Sequence, residues 1–178
     1  MSRPERPAAR RAEALELPFP GNEGAGDTGR VASLNRSNGG VPKLPVAEAR
    51  ATRDGLEGDR QRNRVHHGGP DRALCLYSAE AIAALRREGH PVSTGSLGEN
   101  VTITGLDWNR LVPGVRLSVG ETELEVTDFA YPCRTIRKSF DAERFSRISQ
   151  KTHQGWSRVY CRVLREGMIR SGDLVRLL

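Results

Sequence analysis

The chain has 178 residues, 37% hydrophobic and only 5% aromatic, and carries a net charge of +6. That length supports one domain with a real core and is short for two. No run approaches the ~18 apolar residues of a membrane span, and three cysteines, at 75, 133 and 161, suit neither a disulfide framework nor a zinc site.

A reducing, cytoplasmic setting fits that cysteine usage, and the low aromatic content without a basic–aromatic stripe argues against nucleic acid. The charge is uneven. Residues 1–12 supply half of it, with four arginines against one glutamate. The rest gathers in "DRQRNRVHH" (59–67) and after Cys133, a pattern suited to a local anionic ligand or to a plain solvated face. Residues 1–29, rich in Pro, Gly, Arg and Glu with little apolar periodicity, read as a flexible extension without the apolar core of a signal peptide.

From residue 30 the elements are short and mostly β. "RVASL" (30–34) is a first strand, and "KLPVAEARATR" (43–53) a second, confined by Pro45 to an edge or a strand start. "DGLEGDR" (54–60) is a turn. "ALCLY" (73–77) is apolar on both faces and reads as a buried strand. A helix follows in "SAEAIAALRREGHP" (78–91), capped by Ser78 and ended at Gly89 and Pro91. "NVTITG" (100–105), "VRLSV" (115–119) and "ELEVTDF" (123–129) are strands, the last two joined at hairpin length. "DAERFSRISQ" (141–150) suggests a short helix, and "SRVYCRVL" (157–164) and "DLVRLL" (173–178) close the chain as strands. Many short strands with few helices indicate a mainly β (α+β) domain of barrel-like form over residues 30–178.

Alternation in "RVYCRVL" turns Cys161 toward the core, and Cys75 lies inside an all-apolar strand, so both read as structural. Cys133 differs. It follows Pro132 at a strand end and precedes Arg134, Arg137 and Lys138. Cationic neighbours favour the thiolate, the form that attacks electrophiles or binds soft metals. The alternative is a strand-end cysteine packed under a loop. In "VHHGGPDR" (65–72), Gly68 and Gly69 let backbone approach a ligand or simply turn, while Arg72 offers a fork to phosphate. "STGSLGEN" (93–100) suits an oxyanion or phosphate, though loops without ligands look similar.

Taken in order, "GLEGDR", "HHGGPDRALCLYS", "GSLGENVTITGLDW", "LVPGVRLSVGETELEVT", "YPCRTI", "GWSRVYCRVLREG" and "SGDLVRL" resemble a MOSC domain, named from the C-terminal region of molybdenum cofactor sulfurase. The likeness runs from about Val31 to Leu178 and is to bacterial standalone members linked to detoxification of N-hydroxylated bases. It implies a β-barrel-like fold and binding of molybdenum cofactor, a molybdopterin with a terminal phosphate. It also implies that Cys133 ligates molybdenum or carries sulfur. By the same likeness Gly98, Glu99 and Asn100, with His67, Gly68 and Gly69, wall the cofactor pocket, while Arg72 and Arg134 are the residues chosen for its phosphate or pterin edge.

The activity implied is reduction of small N-hydroxylated substrates. The 29 residues before the domain cannot supply the extra N-terminal domain of the eukaryotic amidoxime-reducing relatives. No four-cysteine iron–sulfur segment or flavin domain follows "LVRLL", so electrons are expected from a separate flavoprotein or ferredoxin reductase. The alternatives are a sulfur carrier with a persulfide on Cys133, or a cofactor-binding module without turnover. Pyridoxal phosphate, assigned to the family by analogy, would need Lys43, Lys138 or Lys151, none in an informative motif.

Overall fold

Short segments become strands here because each buries one face, and where the alternation slips the backbone bulges to keep apolar groups inside. The first strand shows this. β1 (Thr28–Arg36) buries both Val31 and Leu34, an odd spacing made possible by a register shift between Val31 and Ser33. The structure is a computed structural model and describes residues 24–60 and 68–178.

After β1 come β2 (Leu44–Val46), β3 (Glu48–Thr52), β4 (Gly55–Leu56) and β5 (Leu74–Ser78). Helix α1 (Ala79–Arg87) leads to β6 (Val101–Thr104), β7 (Arg116–Val119) and β8 (Thr122–Ala130). The chain ends with β9 (Arg158–Arg165), β10 (Gly167–Arg170) and β11 (Leu174–Leu177). Seven strands in the order β11-β7-β8-β9-β5-β6-β1 close through a β1–β11 pairing into a barrel. β2 hangs on β1 at the rim, and β10, β3 and β4 form a separate small sheet. One barrel pair is parallel, β5 with β6. A parallel pair needs a crossover connection, and α1 supplies it.

That helix is set by its ends. The Ser78 hydroxyl accepts from the Ala81 amide at 3.1 Å. At the other end the Gly89 amide donates to the Arg86 carbonyl and the His90 amide to that of Leu85, both at 3.0 Å, with Gly89 at φ 90°. This is a Schellman stop, which glycine takes without steric cost. Ala81, Ile82, Ala84 and Leu85 are buried.

Three expectations need correction. β1 starts at Thr28 and Gly26 bridges to Leu106, so the last residues of the supposed 1–29 extension belong to the domain. The single strand expected over 43–53 is two, β2 and β3, which join different sheets. The helix expected over 141–150 is instead a pair of 3-10 turns, Asp141–Glu143 and Phe145–Ile148, with Ala142 and Glu143 at φ 50° and 54°. Tertiary bonds override local propensity there. The Asp141 amide donates to His90 Nδ1, Arg147 makes two bonds to the Glu88 carboxylate at 2.7 and 2.8 Å, and its guanidinium lies 3.6 Å from the centre of the Trp156 ring. β10 had no counterpart in the sequence reading; four residues opening on glycine carry almost no periodicity. Among the described residues no helix is long and apolar enough to cross a membrane.

Candidate functional site

β5, β9 and β8 lie side by side, and their alternation builds two different surfaces. On one face Leu74 and Leu76 pair with Cys161 and Val159 and enter the main core. On the other face Cys75 stands opposite Tyr160, Arg158 opposite Ala130, and Asp128 opposite Tyr160. This second face floors a cleft of about 270 Å³.

Cys133 lies at one side of it. β8 ends at Ala130, and Tyr131 and Pro132 carry the chain to Cys133, whose carbonyl accepts from the Ile136 amide at 3.1 Å to start a 3-10 helix, Arg134–Ser139. Cys133, Thr135 and Ile136 all line the cleft, and Cys133 is partly exposed. No disulfide joins the three cysteines.

The facing wall is the loop before β6. Leu97, Gly98 and Asn100 line the cleft, and Gly98 takes φ 84°. A Cβ there would press to 3.3 Å on Val41, so glycine serves both the backbone conformation and the close approach. Asn100 ties three segments together. Its Oδ1 accepts from the Cys75 amide at 3.1 Å, while its Nδ2 donates to the Asn35 carbonyl and, at 2.9 Å, to Asp59.

The third side comes from residues 37–60. Ser37, Gly40, Val41, Lys43 and Arg60 line it. Lys43 Nζ lies 2.5 Å from Asp59 Oδ2, both side chains almost wholly buried. Lys43 is held in place by a 2.9 Å bond from its amide to the Gly95 carbonyl.

The electrostatic balance of the cleft is positive. Asp59 neutralises Lys43, but Arg158 meets no carboxylate among the described residues. Only 5% exposed, it donates to the Leu97 carbonyl through Nη1 and to the Tyr131 carbonyl at 3.3 Å through Nη2, and its buried Nε has no hydrogen-bond partner there. Arg72 lies with its guanidinium 5.3 Å from the Tyr160 ring centre and 3.7 Å from the Asp128 carboxylate. Arg60 completes a set of three cleft-lining arginines. Burial pushes the Cys75 thiol up, with Arg158 and Lys43 pulling the other way, and burial pushes the Tyr160 phenol up to about 12. Both therefore sit in the cleft as neutral hydrogen-bond donors near neutral pH.

Of the residues expected from sequence, Cys133, Arg72, Gly98 and Asn100 meet in this cleft. His67, with His66, lies outside the described residues. Gly68 and Gly69 do not line the cleft; they lead into the 3-10 turn Pro70–Arg72, where the Arg72 amide donates to the Gly69 carbonyl, so they aim Arg72. Glu99 does not line it either. It is fully buried, accepts from the Gly95 amide at 2.6 Å and from Thr102, and burial raises its pKa, which makes it a brace inside the loop. Arg134 is exposed and is not among the residues that line the cleft.

Sequence reasoning missed Arg158, Tyr160 and Cys75. Arg158 and Tyr160 were visible as the polar partners of the alternation that turned Cys161 inward. Cys75 is buried as expected, but in a small cluster with Ala130 and Tyr160 at the cleft floor rather than in the main core.

Residues 63–176 match the MOSC domain. The chain belongs to the MOSC domain family. It is 33% identical over 141 residues to "Uncharacterized protein YflK" of Bacillus subtilis, covering 78% of this chain and 63% of that protein. To "Protein YiiM" of Escherichia coli it is 33% identical over 122 residues, covering 65% and 54%. It thus spans less than two thirds of the length of either. Among solved structures, YiiM from Geobacillus stearothermophilus superposes with a TM-score of 0.64 at 25% identity, covering 84% of this chain and 75% of that one. YiiM from Escherichia coli gives 0.63 at 26%, covering 84% and 69%.

Proposed function

We propose that the cleft binds a molybdenum cofactor through Cys133 and that the protein reduces N-hydroxylated compounds. The observation that carries this is a partly exposed cysteine lining a cleft of about 270 Å³ whose charge, among the described residues, is positive on balance. The donor set fits such a group. Cys133 offers the metal one soft donor, and a molybdopterin-bound metal carries further ligands of its own. A soft thiolate suits a thiophilic centre. Arg158, with a buried Nε lacking a partner, and Arg72 would hold the phosphate, a planar fork being the natural match to its oxygens.

When bound, the cofactor supplies the two-electron redox centre that the side chains lack. The chain's own residues do the rest. Gly98 lets backbone approach, Cys133 anchors, and the neutral Tyr160 phenol and Cys75 thiol present protons to a ligand in the cleft. In the overall reaction two electrons and two protons are consumed: the substrate N–O bond breaks, nitrogen gains one proton, and the departing hydroxyl takes the other and leaves as water. The electrons come from a reduced flavoprotein that is itself oxidised.

Protein made in a host that synthesises the cofactor is expected to hold about one molybdenum per chain, and Cys133→Ser to lose metal and turnover of an N-hydroxylated base together. Elemental analysis beside an activity assay checks both. A protein without molybdenum that carries an extra, reductant-labile sulfur on Cys133 would replace this reading with sulfur carriage.

A further inference from the structure

The 3-10 helix after Cys133 repeats every three residues, so its side chains fall into three stripes. Ile136 and Ser139 are buried. Thr135 lines the cleft, and Lys138, one turn on, stands on the same side. Arg134 and Arg137 form the third stripe, where Arg137 pairs with Glu143 at 3.4 Å. Arg134 and Lys138 are both exposed, and neither forms an ion pair among the described residues.

Tyr131 completes the patch. Tyr131 is 63% exposed, the most of any aromatic residue among those described, while its carbonyl accepts from Arg158 on the cleft floor. An exposed tyrosine beside unpaired cations at the mouth of a cleft has the composition of an interface anchor. These residues stand outside the cofactor cleft itself, so their charge is not used there.

We infer that Tyr131, Arg134 and Lys138 form the docking surface for an acidic flavin-bearing redox protein that delivers electrons beside Cys133. This rests on the reductase reading above, because reduction at the cleft consumes two electrons and the described residues hold no second redox group. Opposite charge would steer the donor to this rim and make its arrival depend on salt. A nucleic acid fits less well, since one exposed tyrosine is no stacking platform.

The test uses wild-type and Arg134→Glu/Lys138→Glu protein with matched molybdenum content, and an acidic flavodoxin as donor. With reduced flavodoxin at low ionic strength the variant is expected to turn over about tenfold more slowly. With dithionite and methyl viologen, which need no docking, the two are expected to match. The wild-type rate should fall as salt rises and the variant's should not. Equal rates with flavodoxin would overturn the proposal, as would equal loss with both donors. Binding of oxidised flavodoxin, measured by calorimetry, needs no molybdenum. It should weaken about tenfold in the variant even if wild type proves to have no viologen-driven turnover, the result that would remove the reductase reading alone. Binding of a single-stranded oligonucleotide in place of flavodoxin, abolished by the same variant, would also overturn it.

Discussion

Three thiols in one small protein differ here by what covers them. Cys161 is fully buried in the barrel core and burial pushes its thiol well above the ordinary value. Cys75 is 6% exposed on the cleft floor, also pushed up by burial. Cys133 is partly exposed at the cleft side. Alkylation needs both a thiolate and access, so iodoacetamide at mildly alkaline pH is expected to label Cys133 at least about tenfold faster than the other two. Peptide mass spectrometry resolves the sites, and preferential labelling of Cys161 would contradict the barrel assignment. At this scale Cys133 was legible because a proline and three cations surround it in the chain itself. Arg158 was not legible as a cleft residue. Its role comes from carbonyls of Leu97 and Tyr131, which are remote in sequence and meet it only once β9 is seated.

The elements that seat Cys133 are held by a cluster with a pH dependence of its own. His90, just past α1, is buried against Phe140, its Nδ1 accepts from the Asp141 amide, and its Nε2 lies 3.8 Å from Glu88. Burial lowers its pKa below 6.5; Glu88 and Asp141 oppose this and Arg144 and Arg147 reinforce it. The folded protein therefore binds fewer protons at this site than the unfolded chain. Its contribution to stability is complete above the unfolded value near 6.5 and is lost as pH falls below it. Thermal unfolding of wild type is expected to shift downward between about pH 7 and pH 5.5, while His90→Asn, which keeps an acceptor near Nδ1, flattens that change. An identical slope in both proteins would exclude His90 as the group responsible. This cluster also explains why α1 was readable and residues 141–150 were not. Ser78 and Gly89 mark α1 locally, whereas the 3-10 turns exist because His90, Glu88 and Trp156 reach them from elsewhere.

The barrel as a whole brings together cleft residues from six separate stretches, with residues 37–43, 97–100 and 133–136 on different sides. Strand-rich architecture was readable from the spacing of apolar runs; which strands pair, and so which residues share the cleft, depends on closure between β1 and β11. Gly29 sits at that seam, opposite Val175. A Cβ there would come within 2.5 Å of the Thr104 carbonyl oxygen and 3.0 Å of the Leu106 nitrogen, both backbone atoms that cannot yield without breaking the β1–β6 ladder. Gly26, three residues earlier, would meet nothing within 4 Å. Gly29→Ala is therefore expected to cost about 2 kcal/mol in urea unfolding, a small overpacking forced on backbone. Gly26→Ala should stay within about 0.5 kcal/mol of wild type. Because the cleft exists only in the closed barrel, slow alkylation of Cys75 should be lost in the same transition that reports strand unfolding. A Gly29→Ala protein as stable as wild type, or a Cys75 that opens well before the strands do, would mean that the cleft is held by its loops and not by the seam.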